Sequence, residues 1–401
     1  MNPPSFMLIA GEPSGDALAA QLVGELRRTF AHTAFAPRFF GAGGPRMAAA
    51  GVTLDFDLTQ HAVTGLVEVL RHLGKFRRLL RRLLDLACAR QPDVIVLVDF
   101  QAFNRRLARA LRRRLATATG PFVNWHPRLV QFVSPQVWAS RPQRAYDLAE
   151  NIDLLLCLFP FEKEWYARRT PGLHVEVVGH PLLDRYPGLP PPGTLPPPPT
   201  CHPPLIALLP GSRTDELRRH LPVLLETARR LAARDELQFR IVLPDDTLRP
   251  LAEATLRAGA VEVALEVGGL ARTLSETTLA LASTGTVTLE CALFRVPTVA
   301  LYITSPVTYR IGRRLATVNH LAMPNLLAGT RVMPEFLQDA ATPENLAGAA
   351  TELLHHPVLR AAFRRKLDEV VAQLGGPGAS RRAALAIARL DSPAIAGKLG
   401  E

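Results

Sequence analysis

LIALLPGSR (residues 205–213) is an apolar run that ends in proline, glycine, serine and arginine, with an amphipathic helical pattern behind it. The chain opens in the same way. LIAGEPSGD (residues 8–16) is followed by Leu18, Leu22, Leu26 and Phe30 at helical spacing. A buried strand, a glycine turn and a helix make the first unit of a doubly wound α/β domain. Because the pattern starts twice, the sequence predicts two such domains.

Between the two starts lies PGLPPPGTLPPPPTCHPP (residues 187–204), in which ten of 18 residues are proline. No strand or helix interior tolerates that content, so an extended, semi-rigid linker is expected. Residues 1–186 then form an N-terminal Rossmann-like domain and 205–350 a second one. Residues 351–401 are left as C-terminal helices, with a return to the first domain as one option. Further buried strands are read in PDVIVLVDF (92–100), DLLLCLF (153–159), VEVV (175–178), FRIVLP (239–244), LALAST (279–284) and VPTVALYI (296–303), with a helix over 286–294. Such runs between helices indicate parallel sheets covered on both faces. Ligands of these sheets bind beyond the carboxyl ends of the strands, here in a cleft between two facing domains. Nucleotide-sugar glycosyltransferases, dehydrogenases and binding proteins all use this plan.

Composition sets outer limits. The 401 residues are 48% hydrophobic and 21% charged, a globular balance of two-domain size. No run of about 18 uncharged apolar residues predicts a membrane-spanning helix. Residues 1–7 carry no basic residue, unlike a signal peptide. Cys88, Cys157, Cys201 and Cys291 are scattered without metal-ligand spacing, as expected of buried free thiols in a reducing cytoplasm. The net charge of +11 comes almost wholly from arginine. It suits nucleic acid, an acidic membrane or a phosphorylated substrate, and equally a biased genome; composition does not choose.

Several residues carry possible chemistry. Asp99 ends the strand in VDFQAFN (98–104), where a carboxylate either serves as a general base or caps the next helix. Ser212 and Arg213 follow Gly211 in a turn with no acid before the helix, which suits a diphosphate or is an ordinary turn. In STGTVTLE (283–290), Thr286 offers a second helix start and Glu290 a carboxylate for ribose hydroxyls, or else a buried-edge glutamate. Asn325 in MPNLLAG, Gln338 in FLQDAATPENLA and His180 in VGHP are polar positions in apolar context. Residues 66–87 read as a basic amphipathic helix. Leu66, Leu70, Leu73, Phe76, Leu80 and Leu83 share one face, with Arg71, Lys75, Arg78 and Arg82 opposite. Its basic face fits a membrane surface, or is the solvated side of a helix on the sheet.

Read together, AGEPSGD, GAGGPRM, GLVEVL, VSPQVWASR, LFPFEKEWY, VGHPLLD, LLPGSR, GTVTLECAL, MPNLLAG and FLQDAATPENLA stand in the order of one family over about residues 5–350. The chain resembles lipid-A-disaccharide synthases. That resemblance implies a two-domain glycosyltransferase-B fold and an inverting transfer. The donor would be UDP-2,3-diacylglucosamine and the acceptor 2,3-diacylglucosamine 1-phosphate (lipid X). The products would be the β-1,6-linked lipid A disaccharide 1-phosphate and UDP. It implies no metal and no cofactor, UDP in the C-terminal domain and the acceptor in the N-terminal one. Asp99 would be the base and Arg213 the stabiliser of departing UDP. Thr286, Glu290, Ser212, Asn325 and Gln338 would surround the donor, and Glu12 and Ser14 the acceptor, with Asp16 as a helix cap. An anionic inner-membrane surface, on its cytoplasmic face, is the expected partner. No aromatic-rich basic motif supports nucleic acid.

The chain departs from the family at Ala102, where a second aspartate is usual, and at Ser140, where a tryptophan is usual. LATATGPFVNWHPRLVQ (115–131) is longer than usual, which suggests an altered cleft rim. The alternatives are another glycosyltransferase-B enzyme using UDP-N-acetylglucosamine, or a non-catalytic membrane-binding relative.

Overall fold

A computed structural model describes residues 3–31, 36–61, 73–117, 124–196, 199, 201–257 and 261–390. The chain divides into two compact units. The first is Met1–Arg185 with Leu374–Glu401, and the second is Tyr186–Gln373.

The first unit holds a seven-stranded sheet. Its strands are β1 (Ser5–Ala10), β2 (Arg38–Gly43), β3 (Thr53–Asp57), β4 (Val94–Val98), β5 (Arg128–Phe132), β6 (Leu154–Cys157) and β7 (Val175–Val177), in the order β3-β2-β1-β4-β5-β6-β7. Every pairing is parallel. All five residues of β4 are buried, which requires cover on both faces. The chain leaves β1 toward β2 but leaves β4 toward β5. The crevice beyond the carboxyl ends of β1 and β4 is therefore the topological switch point.

The second unit repeats the design with β8 (Leu205–Leu209), β9 (Gln238–Leu243), β10 (Ala264–Val267), β11 (Thr277–Ser283), β12 (Thr298–Tyr302) and β13 (Glu335–Leu337). The order β10-β9-β8-β11-β12-β13 puts its switch point beyond β8 and β11.

Residues 187–204 contain no strand or helix among the described positions and belong to the second unit. They are fastened to the helix Pro357–Ala372. The Gly193 N–H donates to Asp368 Oδ2 at 2.7 Å, and Arg364 donates to the Pro196 carbonyl. Asp368 also pairs at 2.7 Å with the buried guanidinium of Arg295. The stretch expected as a connector is thus held as part of the second unit. The last helix among the described residues, Ala379–Ala388, packs on Pro13–Thr29 in the first unit. Asp184 accepts the N–H groups of Gly378 and Ala379 at its start, and Arg382 Nε donates to the Val178 carbonyl at 2.7 Å.

Leu66, Leu70, Arg71 and the GLVEVL motif lie outside the described residues. The helix Leu73–Arg90 buries Leu79, Leu83 and Ala87 and exposes Lys75, Arg77, Arg78 and Arg81. Arg82 is engaged instead, with Nε 2.6 Å from Asp55 Oδ2. All four cysteines are free, but only Cys157 and Cys291 are buried.

Candidate active site

In the first unit, Glu12, Ser14 and Asp99 meet at the switch point. Asp99 and Phe100 follow β4 with φ of +49° and +41°, two successive left-handed residues that turn the chain sharply into the helix Gln101–Thr117. Such strain persists only where neighbours fix it. The Asp99 N–H donates to the Phe132 carbonyl at 2.9 Å. Asn104, fully buried, donates Nδ2 to the Asp99 carbonyl at 2.9 Å, and Gln131 Nε2 reaches the Val133 carbonyl at 3.2 Å. On the other side the glycines of the first turn make room. A Cβ on Gly11 would lie 2.3 Å from the Phe100 ring, and one on Gly15 would touch Asp99 Cβ at 3.6 Å.

Burial, and then the charge of Glu12, raise the Asp99 carboxyl from the ordinary 3.8 to about 6, while the Phe100 N–H pulls it back. Asp99 is therefore ionised at neutral pH and more basic than an exposed aspartate. Glu12 is the N-cap of the helix Pro13–Thr29, with its carbonyl accepting from the Asp16 N–H at 2.9 Å. Ser14 is exposed in the first turn. Asp16, expected to cap its own helix, instead caps the neighbouring one. It accepts the N–H groups of Gly44, Arg46 and Met47 at 2.7, 2.9 and 3.1 Å. The loop GAGGPRM is thereby tied to AGEPSGD.

A second acid of this unit had no assigned role in the sequence. Glu162 is buried and accepts from Trp138 Nε1 and the N–H groups of Leu158 and Phe159 at 3.0–3.1 Å. Burial nonetheless pushes it up to about 7. VSPQVW and LFPFEKEWY are thus joined beyond β5 and β6, and the Tyr166 hydroxyl bridges Ser134 Oγ and the Pro135 carbonyl. His180 accepts the Leu182 N–H at 3.1 Å, and burial lowers it to about 4, so it stays neutral and structural.

In the second unit, Ser212, Arg213, Thr286 and Glu290 stand beyond β8 and β11. Gly211 has φ +116°, and a Cβ there would lie 2.4 Å from Glu216 Oε2, so only glycine fits. Glu216 folds back from the helix Thr214–Ala232 to accept the Ser212 N–H at 3.0 Å and stands 3.5 Å from Arg213. The turn therefore carries an acid after all, supplied from one helical turn later. The Arg213 side chain is still 58% exposed. Buried His220 links this turn to the next loop. Its Nδ1 lies 2.8 Å from the Pro210 carbonyl, and its Nε2 accepts the Ile303 N–H at 2.9 Å. Burial lowers its pKa, which keeps that tautomer neutral.

Thr286 is exposed at the first position of the helix Thr286–Leu293. Glu290, buried in its second turn, accepts from the Tyr186 hydroxyl at 2.6 Å. Asn325 is fully buried. Its Oδ1 accepts the N–H groups of Val332 and Met333 at 2.8 Å, and its Nδ2 donates to the Met333 carbonyl. Gln338, with φ +52°, grips the Thr304 backbone from both sides, at 2.7 and 3.1 Å. The side chains of both residues hold loops at the carboxyl edge of the sheet.

These two switch-point sites can be set beside known proteins. The family model described as Lipid-A-disaccharide synthetase matches residues 6–389. The chain belongs to the lipid-A-disaccharide synthase family. Relatives from Myxococcus xanthus and Alkalilimnicola ehrlichii named lipid-A-disaccharide synthase are 36% and 37% identical, over 98% and 95% of this chain and 99% and 98% of theirs. Among solved structures, it is similar to a UDP-GlcNAc 2-epimerase from Neisseria meningitidis bound to UDP-GlcNAc, with TM-score 0.61, 12% identity and coverage of 96% and 99%. It is also similar to MurG of Acinetobacter baumannii, with TM-score 0.57, 13% identity and coverage of 97% and 100%. At such identities the structural likeness carries the fold alone, which is that of glycosyltransferase B. The chain is accordingly a hexosyltransferase that makes the lipid A disaccharide from a UDP-sugar donor and the lipid X acceptor.

Proposed function

We propose that the disaccharide forms in one inverting displacement, with Asp99 as the base and the second unit holding UDP. A carboxylate oxygen of Asp99 takes the proton of the acceptor 6-hydroxyl. The freed oxygen attacks the anomeric carbon of UDP-2,3-diacylglucosamine. The bond from that carbon to the β-phosphate oxygen breaks, and UDP leaves with the electron pair. A single displacement needs one base and no covalent carboxylate intermediate. UDP needs charge stabilisation rather than a protonating acid. Arg213 and the N-terminus of Thr286–Leu293 offer that positive potential beyond β8 and β11. Glu12 and Ser14 bind acceptor hydroxyls and Glu290 the ribose, with Ser212 beside the diphosphate. Asn325 and Gln338 shape the donor loops through the backbone groups they hold.

The observation that carries this reading is Asp99, strained in backbone and raised to about 6 at the first switch point. The test is Asp99→Ala, assayed with UDP-2,3-diacylglucosamine and lipid X in detergent and, separately, for UDP binding by calorimetry. Turnover should fall about 10²-fold or more with UDP affinity intact. Collapse of UDP affinity with the fold preserved would overturn the assignment.

No helix among the described residues is long and apolar enough to cross a membrane. We place the enzyme on the cytoplasmic face of the inner membrane, with the exposed basic face of Leu73–Arg90 toward anionic lipid.

A further inference from the structure

The helix Pro306–Leu315 (PVTYRIGRRL) begins directly after the loop that Gln338 and His220 hold, and none of its ten residues is buried. Ser305 caps it, accepting the Thr308 N–H at 3.2 Å. With 3.6 residues per turn, Val307, Ile311 and Leu315 fall within an arc of about 80°. Arg314 and Arg310 run along one edge of that stripe, Arg313 lies beyond them, and the helix holds no acid. Val307 is 65% exposed and Ile311 43%, and Leu321 just downstream is 38% exposed. An amphipathic helix ordinarily turns such a stripe into its own core. Here Val307 and Ile311 stay exposed and Leu315, at the end of the stripe, is half-buried.

We propose that Pro306–Leu315 docks on an anionic lipid bilayer, with Val307, Ile311 and Leu315 entering the acyl boundary and Arg310, Arg313 and Arg314 meeting lipid phosphates. Charge selects this occupant. Two copies joined about a two-fold axis through this face would set three guanidiniums against three, with no acid on the helix to offset them. A bilayer with anionic headgroups answers the arginines and the apolar stripe together. The contact extends to the second unit the membrane reading given above for the first, and rests on it for the choice of an acidic leaflet. It would seat lipid beside the loops that hold the ends of β8 and β12, in the unit assigned to the acylated donor.

The test uses the full chain with Cys88→Ser, Cys201→Ser and Val307→Cys, carrying a nitroxide on the new thiol. Vesicles of phosphatidylglycerol and phosphatidylethanolamine are compared with pure phosphatidylcholine by electron paramagnetic resonance. Sedimentation measures binding in parallel. The label should become oxygen-accessible and shielded from aqueous nickel on the anionic vesicles only. The same should hold after Lys75→Gln and Arg78→Gln weaken the first unit's contact. Val307→Ser, Ile311→Ser and Leu315→Ser together should weaken binding at least about tenfold, while turnover in detergent stays unchanged. A label that stays aqueous on a vesicle-bound chain overturns this proposal and leaves the first unit's contact standing. Failure to bind anionic vesicles at all overturns both. A label shielded without vesicles, with concentration-dependent mass, assigns the face to a second copy and overturns the proposal.

Discussion

Asp99→Asn is expected to abolish most turnover and yet make the first unit more stable. The wild-type carboxyl is raised from 3.8 to about 6, chiefly by burial and then by Glu12. A carboxyl that binds its proton more tightly when folded penalises the fold wherever the pH exceeds its folded value. At 1.36 kcal/mol per pH unit, the penalty is about 3 kcal/mol above pH 6, shrinks as the pH falls toward 3.8 and vanishes below it. Asparagine keeps the shape and removes the charge. The three tryptophans, Trp125, Trp138 and Trp165, all lie within Met1–Arg185. Urea unfolding followed by tryptophan fluorescence therefore reads the first unit selectively. The substitution should add about 2–3 kcal/mol at pH 8 and less than about 1 kcal/mol near pH 4. No gain at pH 8, or an equal gain at both, would refute burial of an ionised Asp99 as the source of its basicity.

The remaining expectations concern the second unit, which has no tryptophan. Asp368→Ala strands the buried Arg295 guanidinium and the Gly193 N–H. It should cost about 3–5 kcal/mol and lower the calorimetric transition of this unit by about 10 °C, with the fluorescence transition unmoved. Asn325→Ala removes three buried hydrogen bonds and should destabilise the same transition by about 3 kcal/mol. Unchanged stability with a raised donor KM would make Asn325 a substrate contact instead.

Much of the fold was legible because strands such as 94–98 and 205–209 are apolar at every position, which only a sheet covered on both faces explains. The glycine turns after β1 and β8 stand at the two switch points. β13 and β10 escaped because three or four half-exposed residues carry no period. The position of a candidate residue was legible where it sits in or next to the turn itself, as Asp99, Arg213 and Thr286 do. It was illegible where one element serves another. Asp16 caps a helix that starts some 30 residues later, and Gln131 reaches Asp99's turn only because β5 pairs with β4. His220 fastens its own turn, through the Pro210 carbonyl, to Ile303, 83 residues further along the chain. Helical spacing marks such a side chain as inward but does not name its partner. The proline-rich stretch was read from what it cannot form, whereas its place depends on Asp368 and Arg364 far along the chain.

The pH dependence of kcat/KM, measured beside that of Glu12→Gln, tests the role of Asp99 most directly. The wild-type rate should fall tenfold per pH unit below about 6, as the base takes up its proton. With the like charge of Glu12 removed, that limb should move to lower pH whatever happens to the plateau. A rate that stays level from pH 7 to pH 5, or a limb that Glu12→Gln leaves in place, would contradict Asp99 as the base.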